Sequence, residues 1–131
     1  MLLDSTFLIH LEKEVRARQR EADTPPGPAL RFLARHAGRG LGISPVCAGE
    51  FYAGCEDLAD ARRFLSPYVR LALTDAVAGQ AGLLEREQTA RGRKLGENDN
   101  WIAATARLHR RPVVSRDTAF DRLRGVRRVS Y

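Results

Sequence analysis

Short apolar segments alternate with helical segments along the whole chain, and this order restricts the fold more than any other feature of the sequence. In the helical segments, apolar residues recur at spacings of three and four, as in Leu8, Leu11 and Val15. Strands that alternate with helices predict a parallel sheet with a helix layer on each face. The predicted fold class is therefore α/β, a three-layer α/β/α arrangement around a central, mostly parallel sheet. The predicted strands are residues 1–4, 41–44, 69–73, 113–115 and 126–130.

Capping residues mark several of the helices between these strands. Pro28 suits the first turn of a helix, and Asp57 and Asp75 are predicted N-caps. The helix at 98–110 has apolar residues on two sides, so we expect it to be sandwiched inside the domain. The predicted helices are residues 6–20, 28–37, 46–54, 58–68, 76–91, 98–110 and 118–124.

The size and composition of the chain exclude several classes of protein. Its 131 residues fit one domain spanning 1–131, and its hydrophobic content of 44% argues against global disorder. No apolar run approaches the roughly 18–20 residues that a membrane span needs. Cys47 and Cys55 form neither a disulfide framework nor a CxxC metal pair. We therefore expect a cytoplasmic domain without a membrane partner, rather than a secreted mini-protein, a membrane protein or a zinc finger.

Acidic residues follow several of the predicted strands. Asp4 and Asp117 come just after the first and fourth strands, Glu50 lies about one helical turn beyond the second, and Asp99 opens the sandwiched helix. Ligands of an open parallel sheet bind outside the carboxyl ends of its strands. Carboxylates alone suit hard cations such as Mg²⁺ or Mn²⁺, and crowded carboxylates repel one another unless a cation neutralises them. Activation of water for attack on a phosphodiester is the chemistry that this pattern favours.

Each of these acids also has a purely structural interpretation. Asp4, Asp99 and Asp117 are all placed where a helix N-cap is expected. Glu50 is harder to explain in this way, because its neighbours indicate that it points from a buried segment, where an unpaired carboxylate is costly. Asp75 is assigned to a cap. The three histidines are assigned to surface or packing positions.

Arginine is concentrated at the end of the chain. From residue 107 onward there are eight arginines and two acids, so this segment carries the whole formal charge of +6. Guanidinium groups suit bidentate phosphate contacts, and a basic edge is typical of a nucleic-acid partner. The alternative is a solvated surface that reflects a general use of arginine, since the chain has 20 Arg and two Lys. The candidate RNA-binding residues are Arg107, Arg110, Arg111 and Arg116.

Four segments together resemble the PIN-domain ribonucleases, and within them the VapC-type toxins of toxin–antitoxin pairs. They occur in the family's order and span almost the whole chain, and the third is the most specific. The segments are LLDSTFLI at 2–9, ISPVCAGEFYAG at 43–54, GENDNWIAATA at 96–106 and VVSRDTAFDRL at 113–123.

The resemblance implies an acidic pocket for Mg²⁺ or Mn²⁺ that cleaves RNA endonucleolytically. It implies that Asp4, Asp99 and Asp117 bind the metal and that Glu50 joins them as a catalytic residue. Thr6, where many relatives have Asn, would hold a water of the metal or orient Asp4. Ser115 would support the site in the same way. A homodimer and a cognate VapB-type antitoxin, whose tail fills the site, are also implied.

Three other functions compete with a toxin that inhibits translation and growth. One is a housekeeping RNA-processing nuclease with the same acidic pocket. Another is a non-catalytic RNA-binding α/β module whose acids only cap helices. An aspartyl-phosphate phosphotransferase would also place Asp4 at a strand end, but it would need a second Asp where this chain has Thr6, and a lysine near the site.

Overall fold

The computed structural model describes all residues, 1–131, and contains five strands, six α-helices and one 3₁₀ turn. No helix is long and apolar enough to cross a membrane. The elements are β1 (Leu2–Leu3), α1 (Ser5–Arg20), α2 (Pro28–Arg35), β2 (Gly42–Ile43), α3 (Pro45–Ala53), α4 (Leu58–Leu65), β3 (Val69–Arg70), α5 (Asp75–Ala90), α6 (Glu97–Leu108), β4 (Val113–Val114), the 3₁₀ turn Thr118–Arg122 and β5 (Arg128–Val129).

All five strands are parallel, in the spatial order β3-β2-β1-β4-β5. The predicted α/β fold class with a parallel sheet is therefore confirmed. The chain builds the sheet outward from β1, first through β2 and β3 and then, on the other side, through β4 and β5. The order in which successive strands are added to the sheet therefore reverses between β1 and β4. Parallel α/β sheets bind their ligands at such a switch point.

Several boundaries differ from the sequence prediction. Each strand pairs over only two residues, because the chain bends into the next element soon after the ladder begins. Residues 118–122 form a 3₁₀ turn rather than the start of an α-helix. Asp75 was wrongly predicted as an N-cap, because α5 begins one residue earlier than expected. Thr74 is the cap, and its side chain accepts a hydrogen bond from the Val77 amide at 3.4 Å.

The central strands and α6 form the middle of the hydrophobic core. Leu2, Leu3, Ile43, Val113 and Val114 are fully buried in the sheet. In α6 the run from Ile102 to Ala106 is buried on every side, which confirms that this helix is sandwiched inside the domain. A helix held on all sides fixes the position of its first turn, which carries Asp99.

Helices α5 and α6 follow each other in the chain and run in the same direction. Asn100 Nδ2 donates to the Ala81 carbonyl at 3.0 Å, and further along both helices Arg107 pairs with Glu87 at 3.1 Å. Residues 91–96 must therefore run back along the length of α5 before α6 can start. This return places the first turn of α6 at the carboxyl edge of the sheet, beside the ends of β1 and β4.

Candidate active site

Asp4 is the most buried acid of the site. It directly follows β1, and only 4% of its surface is exposed. Ser115 Oγ donates to Asp4 Oδ2 at 2.8 Å, and Ser5 Oγ lies 3.4 Å from Oδ1. Burial raises the pKa of the Asp4 carboxyl, and the hydrogen bonds from the two serines oppose that shift. Asp4 occupies an N-cap position but makes no capping bond, so its carboxylate is directed to the site instead.

Ser115 connects the ends of the two central strands. Its hydroxyl donates to Asp4 and accepts a hydrogen bond from the Asp117 amide at 3.0 Å. Ser115 is fully buried. One hydroxyl therefore sets both the direction of the Asp4 carboxylate and the path of the chain that leads to Asp117.

Asp99 is the third residue of α6 and is half-buried. The N-cap of this helix is Gly96, so the capping interpretation of Asp99 is wrong. Burial, and after it the negative charges of Asp4, Asp117 and Glu50, together raise the pKa of Asp99 to about 6. The other three acids are thus close enough to act on Asp99 electrostatically.

Glu50 lies at the rim of the site. It is half-buried on α3, and its Oε1 accepts a hydrogen bond from Asn98 Nδ2 at 2.7 Å. Asn98 therefore supplies a hydrogen-bond partner for this half-buried carboxylate. Sequence reasoning missed Asn98, although its place directly before Asp99 in the NDN segment was the available signal.

Asp117 is exposed and caps the 3₁₀ turn that follows β4. Its Oδ1 accepts from the Ala119 amide at 2.7 Å. The capping interpretation is thus correct for this residue. Its second carboxylate oxygen has no partner in the chain and remains available to a ligand.

The four acids lie at one edge of the sheet, but they do not form a closed metal cage. No three Asp, Glu, His or Cys side chains stand close enough together to hold one ion. The donor set itself fits Mg²⁺ or Mn²⁺, since it consists of carboxylate oxygens. Burial is the first cause of the raised pKa of Asp99, and the charges of Asp4, Asp117 and Glu50 add to it; a cation would relieve this added repulsion.

A nucleophilic cysteine does not belong to this site. Cys47 lies on α3 one turn before Glu50, and it is fully buried. Burial raises the pKa of its thiol to about 12, so the thiol stays protonated at neutral pH.

Thr6 lies away from the hydrogen bonds around Asp4. Its side chain is exposed on the first turn of α1 and makes no hydrogen bond to the Asp4 carboxylate. The hydroxyls that contact Asp4 belong to Ser5 and Ser115.

The candidate RNA-binding arginines are divided between the two edges of the sheet. Arg116 lies near the acids, and its guanidinium sits over the Tyr131 ring at 4.5 Å from the centroid. Arg107 lies in the last turn of α6, and Arg110 and Arg111 follow the end of that helix before β4 begins. Arg107 is held by both carboxylate oxygens of Glu87, at 3.3 and 3.1 Å.

A groove of about 750 Å³ lies between α1, α3 and α4, apart from the acidic edge. Phe51, Phe64 and Val15 give it apolar walls. Charged side chains of both signs, among them Arg16 and Asp60, border it. Such a lining suits a protein segment with an apolar face flanked by charges.

The sequence matches one family model over nearly its full length. The PIN domain model covers residues 1–126. The chain belongs to the PIN-domain family. The resemblance predicted from the four sequence segments is therefore confirmed. A comparison with curated proteins found no match.

Solved structures with the same fold include several toxin–antitoxin complexes. DNA-bound VapBC from Salmonella typhimurium has a TM-score of 0.76 at 23% identity, covering 98% of this chain and 96% of that one. VapBC2 from Rickettsia felis, bound to a promoter fragment, has a TM-score of 0.75 at 18% identity, covering 99% and 97%. A toxin–antitoxin complex from Klebsiella pneumoniae has a TM-score of 0.64 at 25% identity, covering 95% and 93%. At these identities the likeness shows a shared PIN fold over the whole length of both chains.

Proposed function

We propose that this PIN domain is a Mg²⁺- or Mn²⁺-dependent endoribonuclease that acts as the VapC-type toxin of a toxin–antitoxin pair and inhibits translation and growth. The observation that carries the proposal is Asp99, whose pKa is raised to about 6 by burial and by three neighbouring carboxylates. A carboxyl group whose pKa is raised by burial and by specific neighbouring charges is typical of a functional site. A capping role does not require this concentration of charge.

In the proposed site, Asp4, Asp99 and Asp117 would hold the metal once their side chains draw together around it, and Glu50 would contribute a fourth carboxylate at the rim. A bound Mg²⁺ or Mn²⁺ supplies a Lewis acid that lowers the pKa of water and offsets charge on the phosphate. Ser115 holds the Asp4 carboxylate in place, and Asn98 holds Glu50. Together with the bond from the Ala119 amide to Asp117, these contacts fix the direction of three of the four acids before any ligand arrives.

A partner antitoxin belongs to the same proposal. The neighbouring solved structures are toxin–antitoxin complexes, and this chain has a groove of a size and lining that suit a protein segment. We assign a segment of a VapB-type antitoxin to the groove between α1, α3 and α4, and a homodimer to the assembly. Copurification with the product of a neighbouring small gene tests the partnership, and Phe64→Ala tests the groove.

The direct test of the enzymatic activity compares RNA cleavage by the wild-type protein with RNA cleavage by Asp99→Asn. The wild-type protein is expected to cleave RNA with Mn²⁺ and to lose this activity in EDTA, whereas Asp99→Asn is expected to stay folded and inactive. Asp75→Asn is the matched control, since Asp75 is an exposed acid in the first turn of α5. Retained cleavage in folded Asp99→Asn would contradict the proposal.

A housekeeping nuclease would have the same site chemistry, so a different measurement distinguishes it from a toxin. Expression of a toxin is expected to stop growth, and coexpression of its antitoxin is expected to restore it. A housekeeping enzyme would leave growth unaffected. Asp99→Asn should abolish the arrest while accumulating to the same level as the wild type.

A further inference from the structure

The edge of the sheet opposite the acids carries a cluster of arginines that no ion pair neutralises. The cluster, hereafter the distal arginines, consists of Arg39, Arg110, Arg111 and Arg127. Four ion pairs occur in the chain, and none involves these residues. Arg39, Arg110 and Arg127 are exposed and make no side-chain hydrogen bond.

Backbone contacts bring these arginines together from three separate parts of the chain. Arg111 Nη1 donates to the Gly40 carbonyl at 3.2 Å, which places it beside Arg39. The Arg127 carbonyl accepts from the Val113 amide at 2.8 Å, two residues after Arg111. The loop before β2, the loop before β4 and the start of β5 therefore meet at this edge.

Arg110 stands in a backbone conformation that ordinarily selects glycine. It follows α6 with φ at +50°, where a side chain costs stability and Gly is the usual residue. Its side chain makes no hydrogen bond or ion pair within the chain that would offset this cost. A strained residue with a free charged side chain points to a function outside the fold.

We propose that the distal arginines bind the phosphate backbone of the RNA substrate at a place remote from the bond that is cleaved. The inference rests on the proposed ribonuclease function for the identity of the ligand. The carboxylates of the acidic edge repel phosphate in the absence of metal, so an arginine cluster away from that edge adds electrostatic attraction for RNA. Arginine suits this role, because its planar guanidinium donates two parallel hydrogen bonds to a phosphate.

The separation of the two surfaces sets how much RNA the protein contacts. Leu108 comes nine residues after Asp99 in α6, which corresponds to about 14 Å along the helix axis, and the distal arginines lie beyond that point. Phosphates bound there are therefore several nucleotides away from the one in the acidic pocket. RNA long enough to reach both edges is expected to bind more tightly than a short fragment.

Binding of a labelled single-stranded RNA, measured in EDTA and in an Asp99→Asn background, tests this proposal. The variant Arg39→Gln/Arg127→Gln is compared with Arg62→Gln/Arg86→Gln, which removes two exposed, unpaired arginines from other faces. The distal variant is expected to bind roughly tenfold more weakly and to reduce the slope of log K against log salt by about 1.4, or about 0.7 for each phosphate that is no longer bound. Arg62→Gln/Arg86→Gln should keep the slope of log K against log salt that the unsubstituted protein shows.

Arg110→Gly gives a second result that a structural role would not produce. Glycine relieves the left-handed conformation, so the midpoint of thermal unfolding is expected to rise by about 2–5 °C. The same variant is expected to bind RNA more weakly and to lower the salt slope by about 0.7. RNA binding equal to that of the control in both variants would overturn the proposal. Weakened binding of the antitoxin with unchanged RNA binding would also overturn it, by assigning these arginines to the protein partner.

The assay separates this inference from the proposed activity, because it detects binding without metal and without cleavage. An inactive wild-type enzyme would contradict the ribonuclease proposal and leave the RNA-binding result intact. A cleaving enzyme whose distal variants bind RNA normally would contradict only the inference about the distal arginines.

Discussion

At the scale of single residues, hydroxyl and amide donors stabilise carboxylates at the acidic edge, whereas repulsion between the carboxylates destabilises the folded state. Ser115 and Asn98 donate to Asp4 and Glu50, so these carboxylates have partners in the absence of metal. Asp99 accepts no hydrogen bond from the chain and is surrounded by negative charge. Asp99 is therefore the acid whose ionisation costs the fold most.

The first prediction concerns the stability of Asp99→Asn without metal. Because the folded pKa of Asp99 is raised to about 6, ionisation of this group at pH 7 destabilises the folded state. Asn removes that charge, so the variant is expected to be more stable than the wild type by about 1 kcal/mol, after allowance for the partial exposure of Asp99. Denaturant unfolding in EDTA at pH 7 measures the difference.

The stability difference between Asp99→Asn and the wild type is expected to depend on pH. As the pH falls from 7 to 5, the folded wild type takes up a proton at Asp99 while the unfolded chain stays ionised, so the wild type gains stability. The difference in the free energy of unfolding between Asp99→Asn and the wild type should therefore shrink over this interval and disappear near pH 4. An advantage that stays constant from pH 7 to pH 4 would show that the charge on Asp99 is not its cause.

The second prediction concerns Ser115→Ala. This change leaves the buried Asp4 carboxylate without its 2.8 Å donor and the Asp117 amide without its acceptor. The free energy of unfolding is expected to fall by about 1–3 kcal/mol. Ser66→Ala is the matched control, because the Ser66 hydroxyl bonds only the exposed Arg63 carbonyl, and it should change stability by less than about 0.5 kcal/mol. An equal decrease in both variants would contradict the role assigned to Ser115.

At the scale of elements, the site depends on where α6 begins. Gly96 caps this helix with an ordinary φ of −58°, so its backbone does not require glycine. Its lack of a side chain does matter, because a Cβ at this position would lie 3.1 Å from Asp99 Oδ2. The first turn of α6 thus leaves space for one carboxylate oxygen of Asp99.

The third prediction follows from that close approach. Gly96→Ala is expected to push the Asp99 carboxylate aside and to weaken Mn²⁺ binding by roughly tenfold, because metal sites tolerate little displacement of their ligands. Gly79→Ala in α5 is the control, since a Cβ there meets nothing within 4 Å. The control should bind Mn²⁺ normally and be more stable by about 1 kcal/mol, owing to the higher helix propensity of Ala. Normal Mn²⁺ binding by Gly96→Ala would show that the close approach has no role.

The elements also show why part of the site was predictable from sequence and part was not. Asp4 and Asp117 follow β1 and β4 directly, so a parallel sheet brings them to one edge whatever the details of packing. The position of Asp99 depends on residues 91–96 running back along α5, which no hydrophobic periodicity reveals. The bond between Asn98 and Glu50 joins residues 48 positions apart, and local spacing carries no information about it.

At the scale of the whole molecule, the parallel sheet separates charge of opposite sign. Its carboxyl edge gathers four acids, and its amino edge gathers arginines without ion-pair partners. Every helix that packs on the sheet helps to create this polarity, because each starts near the carboxyl edge or returns toward the amino edge. The excess of arginine near the end of the sequence predicted a basic surface. The fold was needed to show that Arg110, Arg111 and Arg127 lie opposite the acids, whereas Arg116 lies near them.

Thermal unfolding during a Mn²⁺ titration tests the central claim most directly, because a ligand that binds only the folded state raises its stability without any knowledge of the RNA substrate. Wild type and Asp75→Asn are expected to gain stability together as Mn²⁺ rises to millimolar concentration, with a rise of about 2.7 kcal/mol at a hundred times the dissociation constant. Asp99→Asn is expected to start from a higher unfolding midpoint and to gain much less. An equal response of all three proteins to Mn²⁺, or no response in any of them, would contradict the claim that these acids form a metal pocket.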